Sequence, residues 1–427
     1  MLRLKRNYHW IIALIVFLEM FLYGGFLNCI SIFTVPMSEA LGITRSSYSI
    51  SQIFRNCTGV LGTLLVGITY QRLGYRKSGI LFLLLSAATV VAIGLSQSLR
   101  VICVAYGLFG FTVGILSTTG AVRIVKDWFH KHQGTVLGVV TMATGLGGSV
   151  LSKVLTAITT RYSWRYAHFF AAAIFLCMAL LFLLLRNRPS EMGLKPYGLD
   201  SLAGKKQTAD PVHTEWAGHS FQELLRTPQF YLMAVCIFMS CLCVYISFSV
   251  IVPHFQDRGY SADEASNIYS VMLIMLSGAK LLGGWLSDRI GAKKVAILTM
   301  LMAACGQWVL ADPQNSITAY LGIILLSMGL LVATITAPLL TMPLFGYRAF
   351  GGITGIFMAM ISLGCMLATP LANLAHDYLG SYSPAFRAAA IMDIVIIGLF
   401  LILFFLCDRE KKKQLDIEKS TSKGGPT

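Results

Sequence analysis

Read along its length, the chain alternates long apolar runs with short polar connections. Twelve runs have about the length an α-helix needs to cross a hydrocarbon layer of roughly 30 Å. They lie at roughly residues 9–36, 47–70, 78–97, 101–123, 134–158, 164–186, 228–252, 264–286, 294–311, 316–341, 349–376 and 386–407. One polar stretch, 187–227, is much longer than the rest. It carries Pro189, Pro196, Pro211 and the run Gly204-Lys205-Lys206, and it divides six spans from six. The first run has no small-residue cleavage site and is too long for a signal peptide, so it reads as a retained helix.

Composition supports the pattern. Of 427 residues, 56% are hydrophobic and only 12% charged, where a soluble domain carries about 25% charged residues. Disorder would need the opposite balance. The formal charge of +15 raises the possibility of a nucleic-acid partner, and the positions of the cations remove it. With both termini inside, 24 of the 34 Lys and Arg fall in inner segments and 6 in outer loops, the bias that orients membrane proteins. Four remain inside spans: Arg55, Arg123, Lys153 and Lys280. All ten cysteines fall in spans, with neither a disulfide framework nor a metal-ligand spacing. No phosphate-binding loop and no hydrolytic triad is present, which argues against an ATP-driven pump or a membrane enzyme. No cofactor is expected.

The two sets of six spans carry a repeated loop. After span two the chain reads Gly67-Ile-Thr-Tyr-Gln71-Arg72-Leu-Gly74-Tyr-Arg76-Lys77, and after span eight Gly284-Trp-Leu-Ser-Asp288-Arg289-Ile-Gly291-Ala-Lys293-Lys294. Glycines allow a sharp turn and close helix approach, and the cations hold the loop at the inner surface. This pair resembles the Gly-x-x-x-Asp-Arg-x-Gly-x-Arg-Lys loops of the major facilitator superfamily. The resemblance covers about residues 8–407 and implies an all-α integral membrane protein of twelve transmembrane helices in two six-helix bundles. The bundles are residues 1–186 and 228–407, joined by a cytoplasmic loop over 187–227 and followed by a cytoplasmic tail over 408–427. Gln71 stands where the family usually has Asp, which implies a weaker N-terminal lock.

A narrower resemblance lies in Lys126-Asp-Trp128-Phe129-His-Lys-His-Gln-Gly134 with Gly138 and Gly145-Leu-Gly147-Gly148, in Arg188-Pro189-Ser-Glu191-Met-Gly193-Leu-Lys-Pro196, and in Pro370 with Gly380-Ser-Tyr382. These segments look like monocarboxylate transporters and oxalate/formate antiporters. They imply a small organic anion, most simply a monocarboxylate, carried by alternating access with proton symport or anion exchange. The expected partners are that anion, protons or a counter-anion, and the bilayer of the cell membrane, with the chain working as a monomer. Two rivals stand beside this reading: an exporter of amphipathic drugs or metabolites on the same fold, and a non-transporting membrane sensor.

Ionisable residues at span depth are functional-site candidates by default. Lys280 lies eight residues before Asp288, roughly 12 Å from the inner end of span eight at 1.5 Å per residue. Ser277, Leu273 and Tyr269 share its helix face. Both related groups carry an anion-binding cation at the place of Lys280. Leu276 stands where monocarboxylate transporters often have an Asp for proton coupling, and Asn28 near the place of a second cation. Glu19 and Arg55 lie near mid-depth in spans one and two. They read either as a structural ion pair or as a proton site, at Glu19, beside an anion contact. Tyr23, Gln52 and Tyr245 are further candidates for the cavity wall. Arg123 and Asp127, one turn apart near the inner end of span four, read as a pair beside the first loop. The gating set is Gly67, Gln71, Arg72, Gly74, Arg76, Gly284, Asp288, Arg289, Gly291, Lys293, Arg123 and Asp127. Asp393 reads as a partner of Arg387 or of other helices. His168 and His254 read as satisfied structural residues, and Gly107, Gly110 and Gly114 as close-packing positions in span four.

Overall fold

The structure is a computed structural model. It describes residues 8–129, 133–198, 221–331, 340–341, 344–345 and 350–423. Lys131, Lys205, Lys206, Pro211, Pro338, Pro343, Gly284 as a packing position and the side chain of Asp288 lie outside that description. Each of the twelve predicted stretches is met by helix. Nine described helices are long and apolar enough to cross a membrane, and a shorter apolar helix covers Ser316–Gly329.

Span one departs from a regular helix. It runs as α1 (Tyr8–Glu19), a π-helical turn over Met20–Gly24, one α turn over Gly25–Asn28, a 3-10 turn over Ile30–Phe33, and α2 (Thr34–Leu41). π-Turns of this kind cluster at functional sites, and Glu19 sits at its mouth. The helix α3 (Arg45–Leu95) holds two predicted spans, folded at Gly74 (φ 75, ψ 166) and capped at its start by the Thr44 hydroxyl. Next come α4 (Leu99–Ile115), α5 (Thr118–Trp128), α6 (Gln133–Arg161) and α7 (Trp164–Phe182). Beyond the central loop lie α8 (Pro228–Ser249), α9 (Ile251–Asp257), α10 (Ala262–Ile290), α11 (Ala292–Ala311), α12 (Ser316–Gly329), α13 (Phe350–Leu379) and α14 (Ser383–Lys423).

The repeated loop recurs in backbone geometry. Gly291, the counterpart of Gly74, has φ 87 and ψ 145 and starts α11. Extended backbone at positive φ is close to glycine-only, which explains why both loops keep glycine there. At Gly74 a Cβ would also fall 2.6 Å from Asn187 Oδ1. Gly74→Ala should therefore cost about 1–3 kcal/mol. It should lower the thermal unfolding midpoint of the detergent-purified protein. Gly42→Ala (φ 60, with open space around it) should lower it less. Equal shifts for the two variants would contradict this account of the turn.

Close approach of backbones organises the N-terminal helices. A Cβ on Gly110 would lie 2.0 Å from the Arg55 carbonyl oxygen and one on Gly114 2.2 Å from that of Gly59, so α3 and α4 touch main chain to main chain. Gly107 is different: a Cβ there meets its nearest neighbour at 3.9 Å. The Trp128-Phe129 segment docks the start of the central loop. The Tyr197 N–H donates to the Trp128 carbonyl at 2.9 Å, and His9 and Trp10 pack edge-on against Phe129 and Tyr197.

Two compact units emerge from the packing. The first is Met1–Pro211 with Phe248–Leu281 and Met366–Pro384; the second is Val212–Ser247 with Leu282–Cys365 and Ala385–Thr427. The second has a continuous core in which Phe230 stacks on Phe357 and Met300, Phe345 and Phe400 are buried. Asp393 is fully buried there. Its expected partner Arg387 instead lies 3.9 Å from Asp312, on the exposed side of the same unit. His168 is buried, with Nδ1 2.8 Å from the Trp164 carbonyl, its ring packed on Phe33 and its Nε2 unbonded.

Candidate functional site

In the first unit, three segments converge on Thr144. The Asn28 amide donates to the Thr144 carbonyl at 3.0 Å, and Lys280 Nζ donates to the Thr144 hydroxyl at 3.4 Å. The Tyr269 hydroxyl donates to the Asn28 carbonyl. Ser277 Oγ reaches the Leu273 carbonyl at 2.9 Å and the Met142 carbonyl at 3.2 Å. α10 places Tyr269, Leu273, Ser277 and Lys280 one turn apart on one face, and this face meets α6. Glycine makes the meeting possible. A Cβ on Gly145 would sit 2.0 Å from Ser277 Oγ, and one on Gly147 would sit 1.7 Å from the Phe21 carbonyl oxygen. Farther along, Ser152 and Ser270 pair at 2.6 Å.

Lys280, Ser277, Tyr269 and Asn28 are thus brought together. Thr144 and Met142 join them; sequence reading passed over both, and the only signal was the glycine run that follows Thr144. Among the described residues Lys280 faces no carboxylate. An ammonium at that depth, bonded to a hydroxyl and to no acid among the described residues, is able to bind an anion.

Other predicted site residues lie elsewhere. Arg55 donates to Asn56 Oδ1 at 3.2 Å, and the Tyr23, Tyr48 and Tyr106 phenols are its nearest ionisable neighbours. The expected Glu19–Arg55 pair does not form among the described residues. Glu19 is 2% exposed and has no ion-pair partner there. Similar depth in two spans did not bring the side chains together: Arg55 bonds Asn56 and interacts with tyrosine phenols instead. Tyr23 is fully buried, its hydroxyl 3.2 Å from Ser86 and 3.1 Å from Thr112. Gln52 is buried, with Nε2 3.4 Å from the Ser51 hydroxyl and its Oε1 unbonded. Tyr245 belongs to the second unit and packs against its core.

The inner loops take different partners from those expected. Tyr75 donates to the Asp127 carboxylate, and the Arg123 guanidinium lies 3.2 Å from where a Gly67 Cβ would be. No Arg123–Asp127 ion pair forms among the described residues, since Tyr75 takes the carboxylate. The Arg76 N–H is held by Asn187 at 3.0 Å, whereas Gln71 and Arg72 are exposed. In the second loop Arg289 lies over Trp285 (4.4 Å) and Lys293 pairs with Asp408.

At the end expected to face outside, a network appears that sequence reading did not find. Arg45 Nη1 and Nη2 grip Asp257 at 2.6 and 2.7 Å, and Nη1 also reaches the Tyr382 hydroxyl at 3.2 Å. The Ser46 N–H donates to Asp377 at 3.0 Å. Asn373 bridges Ser49 and the Tyr382 hydroxyl. His376 Nε2 lies 3.0 Å from Asp257. Arg45, the Ser46 N–H and Ser49 near the start of α3 thus meet residues from beyond position 256, while the Ser47 N–H donates to the Thr44 hydroxyl.

Helices of this length and composition, with a positive-φ glycine at the corner of each copy of a loop that recurs, define a multi-pass helical membrane protein. The family model of the Major Facilitator Superfamily matches residues 10–278 and 233–424. The chain belongs to that superfamily and is a membrane transporter with the major facilitator fold. It is similar to monocarboxylate transporter 12-B of Danio rerio (22% identical over 411 residues, 90% of this chain and 85% of the relative). It is also similar to the agnestins efflux protein of Paecilomyces divaricatus (24% over 374 residues, 85% and 81%). Among solved structures it resembles the nucleoside transporter NupG, with a TM-score of 0.71 at 15% identity, covering 93% of this chain and 99% of the other; that likeness concerns the fold.

Proposed function

We propose that the chain moves a small organic anion, a monocarboxylate, by alternating access between two six-helix bundles, with proton symport or anion exchange. Lys280 holds the carboxylate; Ser277, Tyr269, Asn28 and Arg55 shape the surroundings; Glu19 exchanges the coupled proton. The observation that carries this reading is Lys280 itself, a span-depth ammonium that meets a threonine hydroxyl and no acid among the described residues. The monocarboxylate transporter relatives at 21–23% identity favour the same substrate class. Glu19 suits proton exchange because it is buried and, among the described residues, forms no ion pair. The protein works as a monomer in the cell membrane with both termini in the cytoplasm, as the cation bias indicates.

Uptake of labelled lactate, formate and oxalate into proteoliposomes tests the reading. Accumulation of a monocarboxylate driven by an inward proton gradient, or by a preloaded anion, is the expected result. No anion flux under either condition would overturn it. One observation favours a second reading, export of an amphipathic metabolite: the similarity to a fungal efflux protein. Drug efflux independent of Lys280 would favour that alternative.

A further inference from the structure

His376 occupies an unusual place in the network at the outer end. Its Nε2 lies 3.0 Å from Asp257 Oδ2, and its Nδ1 lies 3.7 Å from Asp377 Oδ1. Nδ1 is buried and has no hydrogen-bond partner. The ring lies 4.5 Å from that of Tyr382, tilted by 31°. The groups facing it are Arg45 and Asp257, which hold each other, Asp377, and Tyr382. His254 packs on the far side of Tyr382, 6.3 Å between rings.

The hydrogens of this cluster can be assigned. Arg45 Nη1 has two, and they are directed to Asp257 Oδ2 at 2.6 Å and the Tyr382 hydroxyl at 3.2 Å. Arg45 therefore does not need His376 Nε2 as an acceptor, although it lies 3.3 Å away. A neutral imidazole has one N–H. With the hydrogen on Nε2 it satisfies Asp257 and turns a bare lone pair toward Asp377. With the hydrogen on Nδ1 it turns the lone pair toward Asp257 at 3.0 Å. Only the doubly protonated ring presents N–H to both carboxylates. Charge leads to the same place: the cluster holds two carboxylates, Asp257 and Asp377, and one guanidinium, and one further positive charge makes it neutral.

We propose that His376 is a proton-binding site, and that a proton taken up there from the outer solution closes the network joining the first turn of α3 to Asp257, Asn373, Asp377 and Tyr382. The proton adds to the ring nitrogen that lacks hydrogen; no other bond changes. Acid outside favours the closed outer end, and alkali opens it. This deepens the proposed transport reading, since it rests on that orientation and on alternating access. It assigns the gate to His376, while the transported proton stays with Glu19.

The test needs no substrate, so its failure is separable from failure of the monocarboxylate assignment. Spin labels at the exposed positions Ala40 and Asp263, in a background with the exposed Cys57, Cys177 and Cys305 changed to Ser, report the outer-end distance in the full-length protein. Between about pH 8 and about pH 5, the short-distance population should rise about fivefold or more relative to the long. His376→Gln should abolish the pH dependence. Asp377→Asn, which removes one negative charge and makes the cluster neutral without a proton, should hold the short distance at both pH values. A pH response that survives His376→Gln, no response in the parent protein, or an unchanged response in Asp377→Asn would each overturn the proposal.

Discussion

Lys280→Ala is expected to lower the apparent affinity for a monocarboxylate by roughly 10- to 100-fold, the worth of a charge-assisted hydrogen bond in a buried site. The loss should fall on substrate affinity before it falls on folding. Among the described residues the Nζ makes one long bond, 3.4 Å to the Thr144 hydroxyl, and no ion pair. Lys280→Arg should retain transport within about tenfold, because a guanidinium can still meet a carboxylate. The measurement is concentration-dependent uptake in proteoliposomes, with thermal unfolding as the control for assembly. An unchanged affinity in the alanine variant would remove Lys280 from the site and leave the family fold intact. Thr144→Val should have a smaller effect in the same direction, since it removes the acceptor that holds Nζ.

Gly147→Val is the second variant with a large expected effect, and its target is assembly. A Cβ at Gly147 would fall 1.7 Å from the Phe21 carbonyl oxygen and 2.5 Å from its carbon, both main-chain atoms of the π-turn. Nothing there is the flexible end of a side chain, so span one itself would have to move. A cost of about 3 kcal/mol or more follows, at the upper end of overpacking effects. Gly278, in α10, is the internal comparison. It is helical and has no neighbour within 4 Å of a built Cβ, so Gly278→Ala should be neutral or slightly stabilising. Thermal unfolding of the two purified variants decides the matter. Similar midpoints would show that α6 and span one are not held by main-chain contact.

The spans were legible because a bilayer sets a length and an apolarity that any twenty-residue window reveals. Gly74 and Gly291 were legible because two loops repeated the same residues, and the positive φ at both explains the repetition. The Lys280 face was legible because α10 is regular from Ala262 to Ile290, so helical spacing carried Tyr269, Ser277 and Lys280 to one side. Span one defeated the same logic. Its π and 3-10 turns displace every residue after Glu19 from ideal spacing, and the Glu19–Arg55 pair rested on depth alone, which does not show which way a side chain faces. The Arg123–Asp127 pair failed for another reason. Spacing put the two within reach, but spacing could not show that Tyr75 competes for the carboxylate. Thr144 and the Arg45 network were hidden because each depends on segments more than 100 residues apart, and no local pattern marks them.

The first turn of α3 gathers Arg45, Ser46 and Ser49, and the same helix runs unbroken to the turn at Gly74. That stretch behaves as a stiff rod of roughly 44 Å at 1.5 Å per residue. Pivoted near its middle, a rod of that length tilted by about 10° carries its two ends roughly 4 Å in opposite directions. Releasing Asp257 and Asp377 at one end therefore pushes the glycine corner at the other, where Tyr75 and Asn187 stand. On the proposed alternating access, opening at the outer end and displacement at the glycine corner are a single motion of one lever, without any relay of side chains between them.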